Sequence, residues 1–337
     1  MVSYSKILGG LIGAAAGDAM GAATEARSQK QILEHFGGKV TDLVAPPMDT
    51  FGRGNEAGGF TDDFSSAYFV ADEIVKNKGI VDEAAVQRAL VEWSRHAVFF
   101  DRFAGPTTRL AIRRFEGEKI EESVGVKNKS RSATNGSAMR ISPLGLINAG
   151  NIDKAINDAV LVAGITHDNT LALSGACAVA AAVCTAMNDD ADMYNLIEAG
   201  IYGAKEGERI GLERGSKIAG PSVAKRIELA AEIGFGRGTV EEKVWQISDV
   251  IGTGLHISEA VPSAFGFAAA CKGDTMQTLI ETINIGYDTD TVGTMAGALV
   301  GTLNGAESFP EHFLPTMEKA NGLMIKDLAD RIYALHL

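Results

Sequence analysis

Two short segments far apart in the chain concentrate side chains able to do chemistry. They are Gly59-Phe60-Thr61-Asp62-Asp63 and Gly286-Tyr287-Asp288-Thr289-Asp290-Thr291-Val292-Gly293. Each sets carboxylates and Thr hydroxyls at a glycine-flanked turn, where backbone can approach a ligand closely. Taken singly, each fits a helix cap, because Asp and Thr accept from first-turn N–H groups and the helix dipole favours a carboxylate there. Together they supply four carboxylates plus hydroxyls, hard oxygen donors suited to Mg²⁺ or Mn²⁺ rather than zinc. Brought together without a cation, the acids repel and their pKa values rise. A two-metal site, with ions roughly 3.5–4 Å apart, relieves that repulsion and positions a water.

Three further segments are candidate walls for a substrate. Residues 13–25 run from a small-residue helix through Asp18 to Glu25. Residues 134–145 hold Asn135, Gly136 and Ser137 in a turn, with Arg140 following. Thr166-His167-Asp168 is the third. Each has a structural alternative: Asp18 as a hydrogen-bonding residue within its helix, Arg140 in a buried ion pair with the clustered acids, His167 as a satisfied structural histidine.

The elements that must position these residues are helical. Apolar residues recur at three- and four-residue spacing through most of the chain, and alternating runs are scarce. The pattern predicts helices over 5–17, 64–77, 82–99, 106–116, 153–165, 169–187, 192–207, 239–250, 258–271, 274–285, 291–303 and 316–335, with Asp82, Asp153 and Asp274 as N-caps. Residues 36–60 and 123–135 read as long loops, a length that usually marks function or mobility. With 337 residues, 46% hydrophobic, and no linker or repeat, a single all-α domain over residues 1–337 is expected.

Composition narrows the partners. The net charge of −12 argues against nucleic acid, whose binders usually carry a basic surface. It does not exclude a phosphorylated small ligand at a cation site, because a bound cation inverts the local field. The uncharged run Ile7–Gly17 is too short to span a membrane, and no signal peptide is evident. Cys177, Cys184 and Cys271 form no metal-binding or disulfide pattern, so a cytoplasmic protein is expected. The oligomeric state is left open.

In order, the chain carries G-A-A-A-G-D-A-M-G-A-A-T-E, F-T-D-D, N-G-S-A-M-R-I-S-P-L-G, T-H-D-N and G-Y-D-T-D-T-V-G-T-M-A-G-A-L-V-G-T-L-N-G. This series resembles the ADP-ribosylglycohydrolase family, whose members include dinitrogenase reductase-activating glycohydrolases and lens J1 crystallins. The resemblance spans roughly residues 5–305. It implies a mostly orthogonal helical bundle with a binuclear Mg²⁺ or Mn²⁺ centre that hydrolyses a glycosidic bond at the anomeric carbon of a ribose. The implied metal ligands are Thr61, Asp62, Asp63, Asp288, Asp290 and Thr291, and the implied catalytic residues are Glu25, Asp62 and Asp290. Cleavage builds oxocarbenium character that nearby carboxylates stabilise. Glu25 is the candidate acid/base at the leaving group. Asn135, Gly136, Ser137, Arg140, His167, Phe103 and Tyr287 are the candidate substrate contacts, and the Gly-rich turns 135–136 and 252–254 are candidate phosphate cradles.

Departures from the family pattern bear on the substrate. Phe64 stands where the first metal motif usually has a Thr, and Tyr287 stands where a second Gly precedes D-T-D-T. Phe103 replaces an acid that in arginine-specific members meets a guanidinium, although Asp101 lies nearby. Phe99, Phe100 and Phe103 form a stacking wall for a flat leaving group or else plug the bundle core. The resemblance therefore implies an ADP-ribosylglycohydrolase acting on a protein-linked or small-molecule conjugate. The alternatives are a hydrolase of N-ribosyl nucleosides or nucleotides, and a non-catalytic, crystallin-like binding protein.

Overall fold

The computed structural model describes residues 2–119 and 132–337, and the expected loop 123–135 lies outside them up to residue 131. Among the described residues the chain forms seventeen α-helices and no strand beyond two isolated bridges. They are α1 (Tyr4–Gly21), α2 (Gln29–Phe36), α3 (Asp62–Lys76), α4 (Glu83–Ser94), α5 (Ala97–Phe103), α6 (Pro106–Phe115), α7 (Ser142–Ile147), α8 (Ile152–Gly164) and α9 (Thr170–Ala186). The second half adds α10 (Met193–Glu213), α11 (Val223–Phe235), α12 (Val240–Val250), α13 (Ile257–Ala270), α14 (Thr275–Ile283), α15 (Thr289–Asn304), α16 (Phe313–Asn321) and α17 (Ile325–Ala334). None of the described helices is long and apolar enough to cross a membrane.

Helices α1, α9, α13 and α15 are buried almost all round, and the amphipathic helices pack about them. What lets α1 and α15 form the centre is a seam of glycines four residues apart. Gly9, Gly13 and Gly17 face Gly301, Gly297 and Gly293 in antiparallel register. A Cβ added at Gly13 would lie 2.0 Å from the Gly297 carbonyl oxygen, and one at Gly17 would lie 2.0 Å from that of Gly293. At the end of the seam, a Cβ on Gly21 would lie 2.3 Å from the Asp290 Cα. The backbones touch, so the end of α1 and the start of α15 are fixed against each other with no side chain to tune the distance.

Several sequence expectations change. The predicted helix 82–99 is two helices, broken at Arg95–His96, and 316–335 is also two, broken at Gly322 in the left-handed region. Helices α2, α7 and α11 are additional; α2 carries a capping box, Ser28 with Gln31, that marks its start. Asp82 and Asp274 are N-caps as expected, but Asn151 caps α8 and Asp153 sits in its first turn. The three cysteines are buried and unpaired.

Candidate active site

Asp18 organises the acidic floor. It is fully buried in α1 and accepts hydrogen bonds from Thr61 N (2.9 Å), Thr61 Oγ1 (2.8 Å) and Phe64 N (2.8 Å). A carboxylate on another helix thus satisfies first-turn N–H groups at the positive end of α3. That bond also explains Phe64: only its backbone serves the site, while its ring packs edge-on against Phe60 in the core, centroids 4.9 Å apart. Thr61 is the N-cap of α3 and hydrogen-bonds Asp63 Oδ2 at 3.1 Å.

The opposite side is held by loop-to-loop bonds. Thr253 O accepts from Asp288 N (3.2 Å), and Leu255 O accepts from Asn135 N (2.9 Å). Asn135 Nδ2 in turn donates to Asp288 Oδ2. Ala26 N donates to Tyr287 O (2.7 Å) and Tyr287 N to Arg27 O (2.9 Å), which draws Glu25 beside the second acidic cluster. Tyr287 holds the left-handed φ of +74°, a conformation that a non-glycine residue adopts at a cost.

Two carboxylate triplets result, each with oxygens within 4.8 Å of one another: Asp18, Asp63, Asp290 and Glu25, Asp288, Asp290. Asp290 belongs to both. Burial and mutual repulsion push the whole set upward. Asp18 rises to about 8, from burial first and then the Asp290 charge. Glu25 rises to about 10, from burial and then Asp290 and Asp288. Asp62 rises to about 7 for the same leading causes, offset in part by Arg140. Asp63 and Asp288 lie well above the usual carboxylate range, and Asp290 is also raised, all chiefly by burial. Asp63 Oδ1 is buried with no hydrogen-bond partner. A buried acceptor without a donor, among carboxylates forced to share protons, fits a hard divalent cation.

The floor opens into a cavity with two lobes. The inner lobe, about 210 Å³, is lined by Thr107, Thr108, Thr134, Asn135, Gly136 and His167 around Asp63 and Thr291. The outer lobe, about 380 Å³, is lined by Ala26, Phe51, Arg102, Ala104 and Tyr287. Glu25, Asp62, Phe103, Gly105, Pro106, Leu255, Asp288 and Asp290 line both.

The other candidates divide. His167 lines the inner lobe, with Nε2 2.8 Å from Thr134 Oγ1 and Nδ1 2.7 Å from Thr166 Oγ1. Burial, then the Arg140 charge, lowers its pKa to about 3, so the ring is neutral. Ser137 and Arg140 do not meet the expectation of direct substrate contact, because both are fully buried and neither lines the cavity. Arg140 donates to Thr108 Oγ1 (3.1 Å), leaves Nε and Nη1 without partners, and places its charge behind Asp62 and Asp63. Of the three phenylalanines only Phe103 faces the cavity; Phe99 is buried and Phe100 packs edge-on against Trp93. Asp101 is exposed and lines neither lobe. The turn 252–254 does not offer a phosphate cradle to the cavity either: it lines neither lobe, Gly252 N donates to Ser248 O (3.1 Å) and Gly254 N to Glu259 Oε2 (3.2 Å).

Sequence reasoning left Asp18 undecided, read Thr253 only as part of a phosphate-binding turn, and missed Leu255, Phe51 and Arg102. For Asp18 a signal existed: it follows Gly17 in a Gly-x-x-x-Gly series that matches the series after Asp290. Leu255 and Phe51 lie in irregular segments with no periodic signature, and Arg102 lies in the short α5, which the periodicity did not resolve.

The all-α scaffold converges two acidic helix starts on one cavity, the arrangement of an enzyme's active site. Comparison with known proteins agrees: residues 2–336 match the ADP-ribosylglycohydrolase family, and the chain belongs to it. It is 30% identical over 321 residues to the uncharacterized protein YegU of Escherichia coli, covering 94% of this chain and 93% of that one. It is 25% identical over 344 residues to the ADP-ribosylhydrolase ARH3 of Bos taurus, covering 94% and 89%. A solved structure described as an ADP-ribosylglycohydrolase-related protein complex shares the fold, with a TM-score of 0.68 at 21% identity over 99% of both chains. The chain is an enzyme of the ADP-ribosylhydrolase class.

Proposed function

We propose that the chain hydrolyses the ribosyl bond joining ADP-ribose to a protein or small-molecule partner, using two divalent cations, Mg²⁺ or Mn²⁺. The observation that carries this is the sharing of Asp290 between two carboxylate triplets at the floor of a two-lobed cavity. Thr61, Asp62, Asp63, Asp288, Asp290 and Thr291 would hold the ions, with Asp18 as a further oxygen donor beside Asp63 and Asp290. Such ions, when bound, orient ribose hydroxyls and lower the pKa of a water.

The chain's own groups do the rest. Glu25 lines both lobes, so it borders the bond to be broken whichever side the leaving group occupies, and it can pass a proton to the departing atom. The carboxylates beneath favour positive charge developing at the anomeric carbon. Asn135 fixes Asp288 through its amide, and Thr61 and Asp18 fix the start of α3. A second reading keeps this chemistry and exchanges the substrate for a free N-riboside, whose flat base would lie against Phe103.

The test is turnover of ADP-ribosyl-arginine, ADP-ribosyl-serine and nucleosides, with free ADP-ribose, ribose and base as readouts. Chelation is expected to abolish turnover and Mg²⁺ or Mn²⁺ to restore it. Asp290→Asn is expected to lose cation binding and activity with the helical circular-dichroism spectrum unchanged. Turnover that persists in chelator, or in Asp290→Asn, refutes the two-cation assignment.

A further inference from the structure

One arginine, Arg102, stands on the wall of the outer lobe, and neither it nor its neighbour Arg53 has an acidic partner among the described residues. Arg102 lines that lobe, with its guanidinium 4.7 Å from the centre of the Phe103 ring. Its N–H groups go to neutral oxygens, Asn55 Oδ1 (2.5 Å) and the carbonyls of Arg53 and Phe51, which tie α5 to the 51–55 segment. Arg53 lies close enough that its charge adds to burial in lowering the Arg102 pKa, and it bonds only the Thr50 carbonyl (3.3 Å). Among the described residues, no carboxylate is within ion-pairing distance of either. In a chain of net charge −12, Arg102 is thus an exposed cation on a cavity wall with no carboxylate paired to it.

The outer lobe is also the side that reaches the surface. Phe51 and Tyr287, which line only this lobe, are 59% and 56% exposed, whereas Thr108, Asn135 and His167 of the inner lobe are at most 4% exposed. A leaving group that remains part of a protein must depart through the exposed side. Its walls offer aromatic faces, aliphatic carbon and a guanidinium; its only carboxylates are Glu25, Asp62, Asp288 and Asp290 of the acidic floor, and Asp101 does not line it.

Resting on the reading above, we infer that the outer lobe receives the leaving group and that Arg102 filters it by charge, admitting neutral or anionic groups and rejecting the guanidinium of arginine. An arginine conjugate is cationic and would meet a like charge a few ångströms away on a partly solvated wall. There one such pair changes relative rates by roughly tenfold. A conjugate through a hydroxyl meets no such opposition, and its chain can lie on Phe103 and Tyr287.

The test compares wild type, Arg102→Gln and Arg102→Lys, each checked for fold by circular dichroism, with Mg²⁺ present. The first readout is kcat/KM on matched peptides ADP-ribosylated on serine or on arginine. Wild type is expected to favour serine at least tenfold. Arg102→Gln is expected to narrow the ratio about tenfold through faster arginine cleavage, and Arg102→Lys to keep it. The second readout needs no turnover: the ratio of benzamidine to benzamide affinity, flat probes of equal shape that differ in charge, measured by ligand-observed NMR. Arg102→Gln should raise it about tenfold and Arg102→Lys should not. Cleavage of the arginine conjugate by wild type as fast as the serine conjugate overturns the inference, and so does a probe ratio that Arg102→Gln leaves unmoved. If neither conjugate is cleaved but the probe ratio shifts, the charge filter stands and the glycohydrolase assignment falls.

Discussion

Removing divalent cation should make this protein's stability fall as pH rises, and the structure sets the size of the effect. In the cation-free cluster Asp18 titrates near 8 and Glu25 near 10, against ordinary values of 3.8 and 4.5, and Asp63 and Asp288 are pushed well up by the same burial. The folded state therefore keeps protons that the unfolded chain releases. The stability this gives is complete below about pH 4 and is lost as pH climbs through the folded values. Each retained proton contributes a slope of about 1.4 kcal/mol per pH unit. With roughly one to three protons retained between pH 5 and 7, the loss is about 3–8 kcal/mol. For a chain of this length the unfolding entropy is about 0.7 kcal/mol per kelvin, so Tm should fall by about 4–12 °C over those two units. A divalent cation binds the ionised acids and opposes this slope. The assay is thermal unfolding at pH 5, 6 and 7, in chelator and in millimolar Mg²⁺ or Mn²⁺ at matched ionic strength. Groups remote from the cluster contribute equally to both series, so the gap between the two Tm curves isolates the acids. It should be small at pH 5 and widen by the stated amount at pH 7. A gap that stays constant would show that these carboxyls do not share protons in the folded state.

Two substitutions probe the supports. Gly17→Ala gains up to about 1 kcal/mol of helix propensity. Its Cβ would nevertheless sit 2.0 Å from Gly293 O, so α1 and α15 must part, with a net loss expected of about 1–3 kcal/mol in urea unfolding and weaker cation binding. Wild-type stability and affinity in that variant would show that the seam does not set the site. Asn135→Ala removes the donor to Asp288 Oδ2 and should weaken cation binding about 10–100-fold by calorimetry with Tm little changed; undiminished affinity would mean Asp288 is held by its backbone alone.

The sequence by itself determined the helical class, the two acidic helix starts and most helix positions, because 3.6-residue periodicity and capping residues are local signals that packing did not override. The glycine spacing on α1 and α15 was equally local, yet its meaning was not. Only pairing the two helices shows that Gly17 meets Gly293 and that Asp18 therefore lies beside Asp290. Burial was likewise decided in three dimensions. Arg140 and Ser137 follow Asn135 and Gly136 in one motif, but the turn at 135–137 directs the first pair into the core and the second to the cavity. Phe99, Phe100 and Phe103 look alike in sequence, and the short α5 sends one of the three into the cavity. Arg102 was invisible as a site residue because an exposed arginine is ordinarily solvated; what singles it out is its place on the cavity wall with no acid paired to it. Periodicity reports which face of a helix is apolar. Which buried polar group meets which, and which wall of a cavity carries an unmatched charge, depends on contacts between segments hundreds of residues apart.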